Sequence, residues 1–143
     1  MHEGHKHLLR TALKLGEWVG IGITTDRLLG EKTDPDRIQN FDERKKSVLE
    51  FVKKEGRSER CTMFAVDTKE GGAESMKGLE ALIVSDEITV VANAFEINEK
   101  RAQNRLPRFH IVVVPRVRTE DGAPLSSSRI RRGESFDRKK LVY

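Results

Sequence analysis

The chain has 143 residues, of which 36% are hydrophobic and 35% are charged, a composition typical of one globular domain with a single core. Its net charge of +4 is a modest excess of 27 basic over 23 acidic residues, so a nucleic-acid-binding domain is only a minor alternative. The single cysteine, Cys61, cannot form an internal disulfide. Because neither a membrane-length apolar run nor a secretion leader stands out, we expect a cytoplasmic protein.

The first predicted element is a helix, because apolar residues recur at helical spacing over Leu8–Leu15. Gly16 follows and favours a helix end at that position. Trp18–Ile23 is a short apolar run that predicts a buried strand leading into a polar loop. After this loop, Asp42 is predicted to cap a second helix that ends at Gly56.

The second half of the chain predicts three further strands and two further helices. Thr62–Val66 and Ala81–Ser85 are apolar runs of strand length, and Phe109–Val114 is continuous and β-branched. Helical spacing predicts a helix over Ala92–Arg105. A short, basic helix is predicted after Ser126.

Strands that are apolar throughout and separated by helices are typical of an α/β fold with a doubly wound parallel sheet covered on both faces. We predict one such domain over residues 1–143, with loops at 30–40, 69–74 and 119–126. Several aromatic side chains, together with Cys61, are predicted to lie in the core and not at a binding site. The aromatic residues are Trp18, Phe51, Phe64, Phe95 and Phe109.

The first motif is the run His2-Glu3-Gly4-His5 at the start of the first helix. Backbone N–H groups and the helix dipole favour an anion at a helix N-terminus, and Gly4 would allow a phosphate to approach the main chain. Imidazole donors at this place would bind more strongly as negative charge develops in a transition state. An exposed histidine cluster is an equal alternative, so the motif alone leaves both interpretations open.

The second motif is the hydroxyl-rich and basic run from Ser126 to Gly133, Ser-Ser-Ser-Arg-Ile-Arg-Arg-Gly. Hydroxyl and N–H groups at a helix start, followed one turn later by guanidinium groups, can form a cradle for an anion. By itself, however, this run is better explained as a serine-capped helix with a solvated basic face.

Taken together, His-x-Gly-His and Ser-Ser-x-x-Ile-Arg resemble the two motifs of the nucleotidyltransferase superfamily, which joins a nucleotide to a phosphate with release of pyrophosphate. The residues between them resemble the pantetheine-phosphate adenylyltransferases of archaeal and eukaryotic type. The resemblance covers nearly the whole chain. The matching residues are, in order, Ile21–Asp26, Lys32, Arg44, Ile83–Ser85, Glu87, Thr89, Ile97, Asn98, Arg101, Val113–Pro115, Glu120–Gly122 and Ser126–Arg131.

The resemblance implies that the phosphate of 4′-phosphopantetheine attacks the α-phosphorus of ATP, giving dephospho-coenzyme A and pyrophosphate in coenzyme A biosynthesis. Such a reaction depends on positioning and charge stabilisation and needs no nucleophilic side chain. Mg²⁺ would accompany ATP, held mainly by the phosphates, so no metal site made of side chains is expected. The implied partners are these two small molecules and neither nucleic acid nor a membrane; the oligomeric state stays open.

The same resemblance assigns roles to individual residues. The implied catalytic residues are His2, His5 and Lys32. The implied ATP-binding residues are Gly4, His5, Asn98, Arg101, Ser127, Ser128 and Arg131. The implied residues for the second substrate are Thr24, Thr25, Asp26, Lys32 and Arg44. Four of these residues also have a structural alternative. For Lys32 it is a surface lysine, and for Arg44 it is an ion pair on its own helix. For Asn98 and Arg101 it is the polar face of a helix.

The family also begins with a strand and a Gly-Thr-Phe-Asp-type loop a few residues before the first histidine, which would place both upstream of Met1. Because this first strand is central in such a sheet, we expect a chain with about ten more residues to be more stable. Two further functions remain open. One is another nucleotidyltransferase, which uses CTP or acts on FMN or nicotinamide mononucleotide, and the other is a non-catalytic nucleotide-binding remnant.

Overall fold

The computed structural model of the protein describes residues 1–29 and 40–143. Two short 3-10 turns, Ser58–Arg60 and Arg138–Lys140, accompany its main elements. In chain order, the main elements are α1 (Glu3–Leu15), β1 (Val19–Thr24), α2 (Asp26–Leu29), α3 (Phe41–Lys54), β2 (Cys61–Val66), β3 (Ala81–Ser85), α4 (Ile88–Gln103), β4 (His110–Val114) and α5 (Ser127–Arg131). Lys32 and nearly all of the predicted loop at 30–40 lie outside the described residues.

The four strands in the described residues pair in parallel, as the sequence predicts. β1 runs beside β2 in the register from Val19 opposite Cys61 to Thr24 opposite Val66, and β3 runs in the same way beside β4. Helix α3 lies in the connection from β1 to β2, and α4 lies in the connection from β3 to β4, as parallel strands require. The α/β class is therefore confirmed, although the described strands form two separate two-stranded sheets and not one continuous sheet.

The first core cluster lies between the β1–β2 pair and α3. Ile21 and Ile23 point from one face of β1, as the period of two in a strand dictates, and they pack against Phe51 and Val52 of α3. Leu9 of α1 packs against the same cluster. Since α1 also contacts β3, this helix connects the two strand pairs.

The second core cluster lies between α4 and the β3–β4 pair. Ile97 of α4 packs against Phe109, which directly precedes β4, and against Ala73 of the long β2–β3 connection. The loop predicted at 69–74 thus contributes a buried residue to the core. No helix in the described part of the chain is both long enough and apolar enough to cross a membrane.

Several boundaries and core assignments differ from the prediction. Helix α3 is capped by Asn40 and not by Asp42, because the Asn40 side chain and Glu43 bond to each other's backbone N–H groups. Helix α4 begins at Ile88, four residues before the predicted start. The predictions for Trp18 and Phe95 were wrong, since their side chains are 75% and 61% exposed.

Candidate active site

A cavity of about 840 Å³ opens between the N-terminal half of α1, the carboxyl end of β1, the first turns of α3 and the segment around α5. The carboxyl end of a parallel strand is where open α/β sheets usually bind ligands. Imidazole, hydroxyl and guanidinium groups from distant parts of the chain meet at this cavity. The polar residues with these groups are His2, His5, Thr24, Arg44, Ser47, Ser127, Ser135, Arg131 and Arg138.

His2 and His5 form a stacked pair at the start of α1, with ring centroids 3.7 Å apart and planes inclined by 24°. The Nδ1 atom of His2 accepts hydrogen bonds from the backbone N–H groups of Gly4 (3.0 Å) and His5 (3.4 Å). The Nδ1 atom of His5 accepts from the backbone N–H of His2 at 3.3 Å. This is a capping box built from two imidazoles.

The capping box determines where each neutral imidazole carries its proton. Because Nδ1 of each ring accepts a hydrogen bond, the proton of the neutral ring lies on Nε2, which is then a hydrogen-bond donor. Burial, followed by the charge of His5, lowers the pKa of His2 from 6.5 to about 4. At neutral pH, His2 is therefore an uncharged donor in the cavity wall.

Gly4 has a structural role in addition to the predicted one. A Cβ atom at this position would lie 2.8 Å from Cε1 and 3.0 Å from Nδ1 of His2, and its own N–H already donates to that ring. The glycine thus makes space for the His2 ring over the helix start. These contacts of Gly4 are all with the His2 ring. The approach of a phosphate to the Gly4 main chain therefore stays a prediction.

Helix α5 brings the second motif to the same cavity, which confirms the predicted helix after Ser126. The Ser126 side chain caps it by accepting from the backbone N–H of Arg129 at 3.2 Å. Ser127 and Arg131 line the cavity. Ser128 lies beside it, where its hydroxyl accepts from Arg131 Nη2 at 3.2 Å.

The loop after β1 is held by Arg44 of α3. Arg44 Nη1 donates to the carbonyl and the hydroxyl of Thr24, and Nη2 donates to Asp26 Oδ1 at 2.8 Å. Thr25 turns to another partner and donates its hydroxyl to Asp67 Oδ1 at 2.7 Å. Thr24 and Arg44 line the cavity, whereas Thr25 and Asp26 do not. Arg44 therefore pairs with an acid, although not with one on its own helix.

Asn98 and Arg101 do not reach this cavity. The amide of Asn98 bonds in both directions to the backbone of Phe109, at 3.0 and 2.9 Å. Arg101 is 1% exposed and lies over the Phe109 ring, with 5.5 Å between Cζ and the ring centroid. Its guanidinium donates to four carbonyl oxygens, those of Ala73, Met76, Leu79 and Pro107.

These contacts give residues 98 and 101 a structural function in the α4 core, so the structure lends no support to the ATP-binding role predicted for them. They are also not the exposed polar helix face that was the alternative, because both side chains are buried. Lys32 lies outside the described residues, and its predicted catalytic role stays a prediction.

Sequence reasoning missed the chain segment that follows α5. Glu134, Ser135, Phe136 and Arg138 all line the cavity. The backbone of Val142 then pairs with Arg118, with N–O distances of 2.9 and 2.8 Å. The only signal in the sequence was the basic cluster at 138–140, which does not indicate where the chain folds back.

The chemistry of the cavity suits an anion better than a metal ion. Within residues 1–29 and 40–143, no three His, Cys, Asp or Glu side chains are grouped closely enough to bind a metal. The carboxylates that line the cavity, Glu3 and Glu134, are paired with Lys6 and with Arg129 and Arg132. Imidazole, hydroxyl and guanidinium donors are the groups that bind phosphate oxygens.

A parallel α/β fold with phosphate-type donors at the carboxyl end of a strand defines a nucleotide-binding α/β protein. Comparisons with known proteins identify the family within this class. The cytidylyltransferase-like family model matches residues 1–133, and the chain belongs to this family.

Two similar relatives are named phosphopantetheine adenylyltransferase. The one from Methanopyrus kandleri is 38% identical over 131 residues, which are 92% of this chain and 82% of the relative. The one from Thermococcus kodakarensis is 36% identical over 133 residues, which are 93% of this chain and 79% of the relative. A crystal structure of a protein of unknown function from Archaeoglobus fulgidus matches with a TM-score of 0.67 and 28% identity, over 80% of this chain and 89% of that one.

Proposed function

We propose that this protein transfers the adenylyl group of ATP to 4′-phosphopantetheine and thereby makes dephospho-coenzyme A in the cytoplasm. A phosphate oxygen of phosphopantetheine forms a bond to the α-phosphorus of ATP. The bond from this phosphorus to the oxygen that bridges to the β-phosphate breaks, and pyrophosphate leaves with the bonding electrons. The relatives named phosphopantetheine adenylyltransferase support this choice of substrates.

The observation that carries the proposal is the pair of stacked imidazoles in the wall of a cavity that Ser127 and Arg131 also line. His2 and His5 use Nδ1 for the helix cap, so in each neutral ring the donor proton lies on Nε2. Donors fixed in this way need no reorganisation when negative charge grows on the α- and β-phosphates, which is the condition for stabilising a transition state. Arg131 supplies the balancing positive charge.

The two substrates would lie side by side along the carboxyl end of β1. The apolar residues of the cavity, among them Leu8, Leu9, Ile23 and Phe136, provide contacts for the uncharged parts of the substrates. Thr24 and Arg44, with Lys32, are proposed for the phosphopantetheine side. Mg²⁺ would enter with ATP, bound to its phosphates, where it neutralises charge on the reacting groups.

The test is pyrophosphate release with ATP or CTP against 4′-phosphopantetheine, FMN and nicotinamide mononucleotide as acceptors. We expect product only with ATP and phosphopantetheine, and activity with CTP or another acceptor would contradict the proposal. His5→Ala should abolish most of this activity. His7→Ala is the matched control, because His7 belongs to the same helix, contacts Tyr143 and does not line the cavity.

A further inference from the structure

Arg129 belongs to α5, but its side chain turns away from the cavity. Its Nη1 atom donates to the Thr119 hydroxyl at 2.8 Å and to the carbonyl oxygens of Ala123 (3.3 Å) and Pro124 (3.1 Å). Its Nε atom donates to Glu134 Oε2 at 2.6 Å. The side chain is 15% exposed. One guanidinium thus connects the turn before α5, α5 itself and the segment after it.

The turn that receives Arg129 is ordered by its own hydrogen bonds. The Thr119 backbone N–H donates to the Ala123 carbonyl at 3.0 Å, and the Leu125 N–H donates to Val117 at 2.8 Å. Thr119, Val117 and Leu125 are all buried. The turn is therefore a fixed support for the helix that follows it.

Helix α5 needs such a support. It has only five residues, and none of them is buried, so neither helix length nor apolar packing holds it in place. The same helix nonetheless presents Ser127 and Arg131 to the cavity. The Arg129–Glu134 pair extends this attachment to the next segment, in which Phe136 also lines the cavity.

We infer that Arg129 is a positioning residue: it fixes α5 against the 117–125 turn and so places Ser127 and Arg131 for the phosphates of the nucleotide. This inference rests on the proposed function. Arg129 itself does not line the cavity, so its effect on nucleotide binding must pass through the residues of α5.

Arg132 provides a matched control at the end of the same helix. Its Nη2 atom donates to the other oxygen of Glu134 at 3.3 Å, but its side chain is 59% exposed, and within the described residues no hydrogen bond or ion pair joins it to the 117–125 turn. It has the same charge as Arg129 and shares one partner with it. It lacks the hydrogen bonds to the turn that the inference requires.

The experiment measures ATP affinity by calorimetry for wild type, Arg129→Ala, Arg131→Ala, the double variant and Arg132→Ala, with a thermal melt of each. We expect Arg129→Ala to weaken ATP binding by about tenfold or more, the loss expected for one hydrogen bond to a charged group. Arg132→Ala should stay within about twofold of wild type, as an exposed substitution does.

The double variant separates positioning from general stability. If Arg129 acts through α5, the double variant should bind ATP clearly better than the product of the two single effects predicts. Independent, multiplicative effects would overturn the inference. Arg129→Lys serves where the alanine variant does not fold. It keeps the charge but lacks the planar fork that reaches several acceptors, so wild-type affinity in this variant would also overturn the inference.

Failure of the proposed function gives a different result. If the wild-type protein does not bind ATP, the proposed function fails and the inference fails with it. If wild type binds ATP and Arg131→Ala weakens binding, while both Arg129 variants bind as wild type does, only the positioning role is refuted.

Discussion

Lowering the pH from 7.5 to 5 should destabilise this fold through one identifiable side chain, His2. In the folded protein its Nδ1 atom accepts two backbone hydrogen bonds at the start of α1, and its pKa is lowered from 6.5 to about 4. The unfolded chain therefore takes up the proton first as the pH falls below 6.5. The free energy of unfolding decreases through this window and the effect levels off near pH 4.

The size of the effect follows from the two pKa values. If the whole shift counted, the free energy of unfolding would fall by about 2 kcal/mol between pH 7.5 and pH 5. Because the imidazole is only half-buried, solvent screens part of this difference, and we expect about 1 kcal/mol. The protonated ring would also lose Nδ1 as an acceptor, which removes the helix cap as well.

The assay is urea unfolding at pH 7.5 and pH 5 for wild type and for His2→Asn. Asparagine is a good N-cap that accepts the same backbone hydrogen bonds but does not titrate. All acids and bases except His2 are present in both proteins, so the difference between the two pH-dependent losses reports the titration of His2 together with its coupling to His5. Equal losses in the two proteins would refute the reasoning, since they would place the pKa of His2 near 6.5 in the fold.

Four variants test the remaining assignments. His5→Ala should lower kcat by about 100- to 1,000-fold, the usual effect of removing one transition-state donor, and a change in KM alone would make the imidazole a ground-state anchor. Ser128→Ala combined with Arg131→Ala should weaken ATP binding in calorimetry at an unaltered melting temperature, and unchanged affinity would remove α5 from the site. Gly4→Ala should displace the ring above it and reduce turnover while stability changes by less than about 1 kcal/mol, because lost capping is offset by the helix propensity of alanine; wild-type turnover would contradict this. Arg101→Leu should destabilise the fold by about 3–5 kcal/mol in urea unfolding, because one buried and three partly buried carbonyl groups lose their donor, and a variant of wild-type stability would refute the structural role.

The strands were the most predictable part of the fold. Each is a short apolar run between polar segments, and the predicted boundaries agree with the structure within one residue at both ends for Thr62–Val66, Ala81–Ser85 and Phe109–Val114. The pattern could not show which strands pair, because pairing depends on contacts between residues far apart in sequence. This is why one continuous sheet was predicted where the described strands form two pairs.

The helix starts were less predictable, for a local reason and a non-local one. At α3, Asn40 and Asp42 are both good caps, and the bond to Glu43 decides between them; the spacing of a capping box was the signal that could have found it. At α4, Ile88 and Phe95 are exposed, so apolar spacing does not trace the buried face of this helix. Exposure is set by the rest of the fold and cannot be derived from α4 alone.

At the candidate site, too, a sequence motif identifies residue types, whereas the fold determines what each side chain contacts. Arg101 and Arg131 both match positions of the family pattern, and both were predicted to bind ATP. Arg131 lines the cavity, whereas Arg101 donates to carbonyl groups that lie 6 to 28 residues away in the chain. A guanidinium donates to carbonyl oxygens as well as to phosphate oxygens, so the residue type alone does not distinguish the two roles. The distinction depends on burial and on which backbone groups would otherwise lack a donor, and both are properties of the folded chain.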